Sequence, residues 1–237
     1  MLSSESKKVN LLAVLTTIAI IVATGMIFFY LPQMTGGSSE VLGESFKIFY
    51  IHLPIAFTSY LAFFIVFVAG IMYLRSSNKK WDILARSSAE VGIGFAFLVI
   101  ATGSIWAKAV WGWYWIWEPR LTTSLVLLLV YLAYFMVRQS IDEPETRARL
   151  SSIFGIVGFA AVPLSFLSVR LWRSVHPLMF GESIYGGSGG GLEGPSLILT
   201  LLVNFIAFFM LFATLFVYKI QNEELKEQVN DLKQSME

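Results

Sequence analysis

Apolar residues fall into six long runs along this chain, at about 11–31, 49–74, 83–107, 121–138, 151–171 and 195–218. Each is long enough to cross the hydrocarbon layer of a bilayer, which takes roughly 20 helical residues. The pattern predicts an all-α polytopic membrane protein with six transmembrane helices. We read residues 1–237 as a single integral-membrane domain, with a short tail over 219–237. The first run follows Lys7 and Lys8. It is longer than the apolar core of a signal peptide and has no A-x-A cleavage pattern after it, so it reads as a retained span. The fifth run is short and carries Gly155, Gly158 and Pro163. Such residues are tolerated in spans that neighbouring helices cover. In the tail, Ile220, Leu225, Val229 and Leu232 predict a short solvated helix that extends the sixth span. Docking to a partner or lying on the membrane surface are the other readings of that segment.

Between the third and fourth runs the pattern changes. Residues 111–122 read Trp-Gly-Trp-Tyr-Trp-Ile-Trp-Glu-Pro-Arg-Leu-Thr, with tryptophan at 111, 113, 115 and 117. On an extended backbone, alternate side chains point the same way, so the four indoles would share one aromatic face. A helix would scatter them, because two residues rotate the chain by about 200°. The segment therefore predicts a flat aromatic platform closed by charge, able to stack against a large flat ligand. A membrane-interface belt, where tryptophan is enriched, is the competing reading.

Composition agrees with a membrane setting: 56% of residues are apolar, 14% are charged and the mean hydropathy is +0.69. A net charge of +1 gives no field that would draw a nucleic acid. The chain has no cysteine, which removes disulfides, thiolate metal sites and thioether-linked haem. The charges set the orientation. Six crossings put both ends on one side, and that side collects twelve of the seventeen lysines and arginines, against five on the other. By the positive-inside rule both termini are cytoplasmic and the tryptophan run faces outward.

The only two histidines, His52 and His176, map to that same outer face. His52-Leu53-Pro54 is expected to place one imidazole just before a helix, with Pro54 in its first turn. His176-Pro177 puts the other on restricted, extended backbone. A lone histidine near a membrane surface is more often solvated than a ligand. Two, beside an aromatic run, suit haem. Its iron takes neutral imidazole nitrogens, its macrocycle suits indole faces, and its propionates suit Arg120, Arg170 and Arg173 in the same loops. Plain interfacial anchoring remains the alternative for each arginine. Zinc fits less well, since only Glu118, Glu182 and Glu193 could complete the set.

Trp111-Gly112-x-x-Trp115-x-Trp117-Glu118-x-Arg120-Leu121-Thr122 resembles the tryptophan-rich "WWD" signature of the haem-handling proteins of cytochrome c maturation. Six spans, a histidine before the second span and another between the fifth and sixth resemble the CcmC family in particular. The resemblance covers nearly the whole chain. It implies that His52 and His176 are axial ligands of non-covalent haem b. It also implies that Trp111, Gly112, Trp115, Trp117, Glu118, Arg120, Leu121 and Thr122 form a platform at the outer face of the cytoplasmic (inner) membrane. The implied acceptor is the periplasmic haem chaperone CcmE, with CcmA and CcmB as transporter partners and CcmD as a small accessory subunit. One departure stands out: Glu118 replaces the usual aspartate, which keeps the charge and adds a methylene.

No Walker motif occurs, so ATP use belongs to a partner chain, and the chain reads as a transfer component, not an enzyme. The glycine-rich stretch 186–191 lacks the Lys-Ser/Thr of a P-loop and reads as an outer flexible loop. Residues 142–145 read as a short solvated turn, and Phe63, Phe64, Phe67, Phe95 and Phe97 as packing or lipid-facing groups. Two further functions stay open: a membrane-anchored mono-haem electron-transfer subunit, and a haem-free structural subunit whose tryptophans anchor it.

Overall fold

The computed structural model describes residues 2–31, 43–177, 184, 194–234 and 236, with side chains left aside at 2–6, 227, 230, 231 and 234. Among the described residues there is no strand, and six helical segments are long and apolar enough to cross a membrane. Helix α1 (Leu2–Gly25) continues into a π turn at Met26–Tyr30. A 3-10 turn (Gly43–Ile48) leads into α2 (Phe49–Ser76). Helices α3 (Lys79–Trp111) and α4 (Pro119–Gln139) follow. The fifth crossing is made of α5 (Pro144–Gly158) and α6 (Ala161–Leu171), and the sixth of α7 (Pro195–Gln234).

Local chemistry sets the helix bounds. Asn78 caps α3 by accepting from the Lys80 N–H at 3.0 Å, so that helix begins before the apolar run does. Glu143 accepts from the Glu145 and Thr146 N–H groups at 2.9 and 2.5 Å, with Pro144 at the first helical position. Of the turn expected at 142–145, Pro144 and Glu145 are thus already helical. The fifth crossing breaks at Phe159–Ala160. Pro163 lacks the N–H that would bond the Phe159 carbonyl and its ring crowds that oxygen, which the Val162 N–H takes instead at 2.9 Å.

The α2–α3 pair forms the centre of the bundle. A Cβ on Gly92 would stand 2.8 Å from the Ala62 Cβ and 2.9 Å from the Phe63 ring, so only glycine lets these helices approach so closely. The Ser88 hydroxyl donates to the Ala62 carbonyl across the same contact at 2.8 Å. Helix α4 adds the Tyr131 ring, stacked on Phe63 at 3.6 Å. Phe63 and Phe95 are buried, whereas Phe64 and Phe97 face outward, toward lipid in a membrane. Helix α1 lies against α7 through paired hydroxyls, Thr16 and Thr214, 2.8 Å apart.

Charges concentrate at the end of the bundle that carries both termini. Arg138 in the last turn of α4 grips Asp82 in the first turn of α3 with two parallel bonds of 2.6 and 2.8 Å. Buried Glu223 meets Arg86 at 2.6 Å and Lys226 at 3.0 Å, while Lys219 meets Glu90 at 2.5 Å. The tail therefore continues the sixth helix, but its first turns dock on α3 through buried Glu223 instead of standing solvated.

Candidate functional site

At the opposite end, His52 lies inside helical structure and not before it. The 3-10 turn starts at Gly43 and α2 at Phe49, which leaves Pro54 within the helix. Packing explains the early start. Phe46 stacks on Phe49 at 5.1 Å, and both join buried Tyr50, Ile27 and Leu201 in one apolar cluster. That burial winds the chain before the proline is reached.

Helix α3 receives the imidazole. His52 Nδ1 is 2.8 Å from the Thr102 Oγ1, and a Cβ on Gly103 would approach the His52 Cε1 to 3.2 Å. The Thr102 hydroxyl spends its single proton on the Leu98 carbonyl at 2.7 Å, so it accepts from His52. Nδ1 therefore carries the proton and Nε2 keeps its lone pair. The same holds at His176, whose Nδ1 meets the Pro177 carbonyl at 3.1 Å, a group that only accepts. A backbone or hydroxyl partner on Nδ1, with Nε2 left as a donor of electrons, is the usual preparation of a metal-ligating histidine.

The His176 ring leans on the Trp106 indole, with centroids 6.3 Å apart. Burial pushes its pKa down to about 3, helped by the positive charge of Arg120 and by His52. The Arg120 charge is within electrostatic reach of both imidazoles, and the two imidazoles are within reach of each other. The structure thus brings together His52 and His176, which are 124 positions apart in the chain. Arg120 itself turns inward, donating to the Ser165 carbonyl and lying 6.0 Å from the Tyr60 ring centre.

A pH prediction follows from that low pKa. An ordinary imidazole is half protonated near 6.5. With the folded value depressed, His176 stays neutral as pH falls through 6.5, and the neutral form is lost only near pH 3. In the ligand-free protein the His176 ring signals should therefore stay unshifted from pH 8 to pH 5 in an NMR titration. A transition centred near pH 6.5 would show an unperturbed ring.

The tryptophan run does not form one flat face. Trp111 is the last residue of α3, and Gly112, at φ 79°, turns the chain out of the helix. Trp111 stands edge-on to Trp106 at 5.2 Å, and Trp115 edge-on to Trp117 at 5.5 Å. Trp113 and Trp117 are 70% and 76% exposed. Trp115 instead buries its Nε1–H with no partner. The alternation fails as a ruler because a left-handed glycine and a helix end interrupt the extended backbone it assumes. What remains is a cluster of indoles that presents exposed rings and one unsatisfied donor.

Glu118 is buried and caps α4. Its Oε1 accepts from the Leu121 N–H at 2.6 Å, its carbonyl accepts from the Thr122 N–H at 2.9 Å, and Pro119 takes the first helical position. Its Oε2 accepts from the Ser174 hydroxyl, and the Ser174 Oγ accepts in turn from the His176 N–H at 3.1 Å. Leu121 and Thr122 thus contribute through backbone N–H groups. Sequence reasoning missed Thr102, Gly103, Trp106 and Ser174. Thr102, Gly103 and Trp106 share one face of α3, a helical spacing that could have flagged them.

Arg170 lies 5.1 Å from the Phe166 ring centre. Among the described residues no three His, Cys, Asp or Glu side chains gather as a metal cage. Glu182, Glu193 and the glycine-rich stretch 186–191 lie outside the described residues.

Fold and site together define a polytopic membrane protein, all-helical among the described residues, with two hydrogen-bonded imidazoles at one end of its bundle. The family model described as "Heme exporter protein C" matches residues 2–235. The chain belongs to this family, CcmC. A heme exporter protein C from Bradyrhizobium diazoefficiens is 34% identical over 190 residues, covering 80% of this chain and 71% of that protein. One from Haemophilus influenzae is 30% identical, covering 78% and 74%. A ccmC-like mitochondrial protein of Marchantia polymorpha, named for cytochrome c biosynthesis, is 27% identical, covering 79% and 78%.

Proposed function

We propose that this chain, as one integral-membrane unit, holds haem b without a covalent bond at the outer face of the cytoplasmic membrane. In this reading it delivers that haem to the periplasmic chaperone CcmE for cytochrome c biogenesis. His52 and His176 supply the two axial nitrogens. Trp111, Gly112, Trp115, Trp117, Glu118, Arg120, Leu121 and Thr122 build the surface that receives the macrocycle and its carboxylates. CcmA and CcmB supply the ATP-driven step, and CcmD accompanies them. The observation that carries this reading is that His52 and His176, each hydrogen-bonded through Nδ1, lie within electrostatic reach of one another. The orphaned Trp115 N–H and the inward positive charge of Arg120 suit an anionic, largely apolar cargo.

The chemistry is binding and transfer. Two imidazoles saturate the iron and limit its reaction with oxygen. Indoles lower the cost of holding an apolar ring at an aqueous surface. Release requires one imidazole to let go. The experiment is an absorption spectrum of the purified protein, followed by incubation with haem-free CcmE. We expect a bis-imidazole spectrum that moves to the acceptor without redox turnover. A haem-free protein, or one that exchanges electrons but keeps its haem, would overturn the reading. For orientation, a reporter fused after Gly190 should behave as periplasmic and one after Glu143 as cytoplasmic.

Replacing Trp115 and Trp117 with leucine separates a platform from a belt. Leucine keeps apolar bulk but removes two indole faces and the buried donor. Aromatic contacts are worth about 0.5–1.5 kcal/mol each beyond buried area, and 1.4 kcal/mol is tenfold in affinity. We expect haem occupancy to fall by roughly tenfold while membrane insertion stays normal. Unchanged occupancy would assign these residues to anchoring alone.

A further inference from the structure

We propose that Ser174 is a positioning residue for haem ligation. Its hydroxyl latches the backbone of His176 to the carboxylate of Glu118, so that the ligand loop and the tryptophan loop move together. The proposal rests on the reading of His176 as an axial ligand.

Ser174 lies in irregular chain between the end of α6 and His176. Its neighbours on either side bury little: Arg173 is exposed and Val175 is 61% exposed. Apolar burial at these two positions therefore contributes little to where the His176 backbone stands. The His176 ring is tied through Nδ1 to Pro177, which belongs to the same loop and travels with it. Such a bond orients the ring on its own chain without locating it against the bundle.

The Trp106 indole of α3 meets the ring itself at 6.3 Å, and the Ser174 hydroxyl supplies the hydrogen-bonded tie of the backbone. Its single proton goes to the Glu118 Oε2, and a lone pair takes the His176 N–H at 3.1 Å. A hydroxyl bonded to a buried carboxylate is charge-assisted, and so stronger than a neutral pair. The carboxylate cannot drift to follow the loop, because its other oxygen is held by the Leu121 N–H at 2.6 Å as the cap of α4. Glu118 also directly follows Trp117. A displacement of the tryptophan loop that loosens this cap therefore also loosens Ser174, and with it the backbone that carries the ligand. The latch links the surface that an acceptor would touch first to the bond that must open for release.

The test uses the full-length, haem-loaded protein with Ser174→Val and Ser174→Thr as a matched pair. The two side chains have nearly the same shape, and only threonine keeps the hydroxyl. Loss of a partner that orients a metal ligand costs roughly 10–100-fold in affinity. We expect Ser174→Val to raise haem dissociation by about tenfold and to shift part of the spectrum from six-coordinate to five-coordinate. Added imidazole should restore the six-coordinate form, and Ser174→Thr should match the parent. With Glu118→Ala already present, Ser174→Val should add little, since the two changes cut one chain of bonds.

The proposal is overturned if Ser174→Val keeps the parent spectrum and dissociation rate while His176→Ala loses the bis-imidazole signature. In that case the ligand reading stands. It is also overturned if threonine fails as badly as valine, which would assign the effect to shape. If His176→Ala leaves the spectrum unchanged, the ligand reading falls and the latch with it.

Discussion

Replacing His52 and His176 together with alanine is expected to strip the purified protein of haem. Losing a residue that merely orients a ligating histidine costs about 10–100-fold in metal affinity. Losing both ligands should exceed the upper end of that range. Each single variant should lose less, because water or an added imidazole can take the vacant position. The two singles should also differ. His52 is held inside α2 against Thr102 of α3 and next to Gly103, so it is the rigid side of the site. His176 sits on loop backbone and is the side that can move. Haem that remains on His52 alone should therefore be bound more tightly than haem that remains on His176 alone. Absorption spectra and haem-to-protein ratios check each step. A double variant with an unchanged bis-imidazole spectrum would clear both residues as ligands.

The largest effect on stability is expected from Arg138→Ala. The guanidinium is buried, forks onto both oxygens of Asp82, and lies 3.4 Å from the Tyr134 hydroxyl. Asp82 at the start of α3 and Arg138 at the end of α4 also each suit the local helix dipole. Removing Arg138 strands the partly buried Asp82 carboxylate, which costs up to the about 3–5 kcal/mol of a fully buried pair. For a chain of this size that lowers the thermal midpoint in detergent by on the order of 10 °C. The double change Asp82→Leu with Arg138→Met should recover much of the loss, because apolar pairs often replace a buried ion pair at little net cost. Equal midpoints for the parent and Arg138→Ala would show that the pair contributes nothing.

The spans were readable because a bilayer imposes a length and a polarity that appear directly in the order of residues. The break at Phe159–Ala160 was not read. Pro163 was visible, but a proline in an apolar run can kink a helix or divide it, and its neighbours decide which. The early start of α2 was hidden for a similar reason. Tyr50 is buried by Ile27 and Leu201, and neither is near it in the chain. The two histidines stood out because the chain has no others. Thr102 and Ser174 did not, since a hydroxyl gains meaning only from the partner it meets. Those partners, His52 and Glu118, lie 50 and 56 positions away. The tryptophan run was conspicuous for its composition and misleading for its geometry, because Trp111 is still helical and Gly112 turns the chain before Trp113.

The length of α2 fixes the depth of the site. Ser76 ends that helix beside Lys79 and Lys80, and His52 lies 24 residues earlier. At 1.5 Å per residue this is a rise of about 36 Å, against a hydrocarbon layer of about 30 Å. That reach is enough to cross the layer, so with Ser76 at one boundary the imidazole comes to the headgroup zone at the other. An amphipathic dye such as haem concentrates in the same zone, with its ring toward oil and its carboxylates toward water. An indole does likewise. At that depth a haem platform would occupy the same zone as an anchoring belt. One set of rings can float the protein at its waterline and dock a cargo that floats there too.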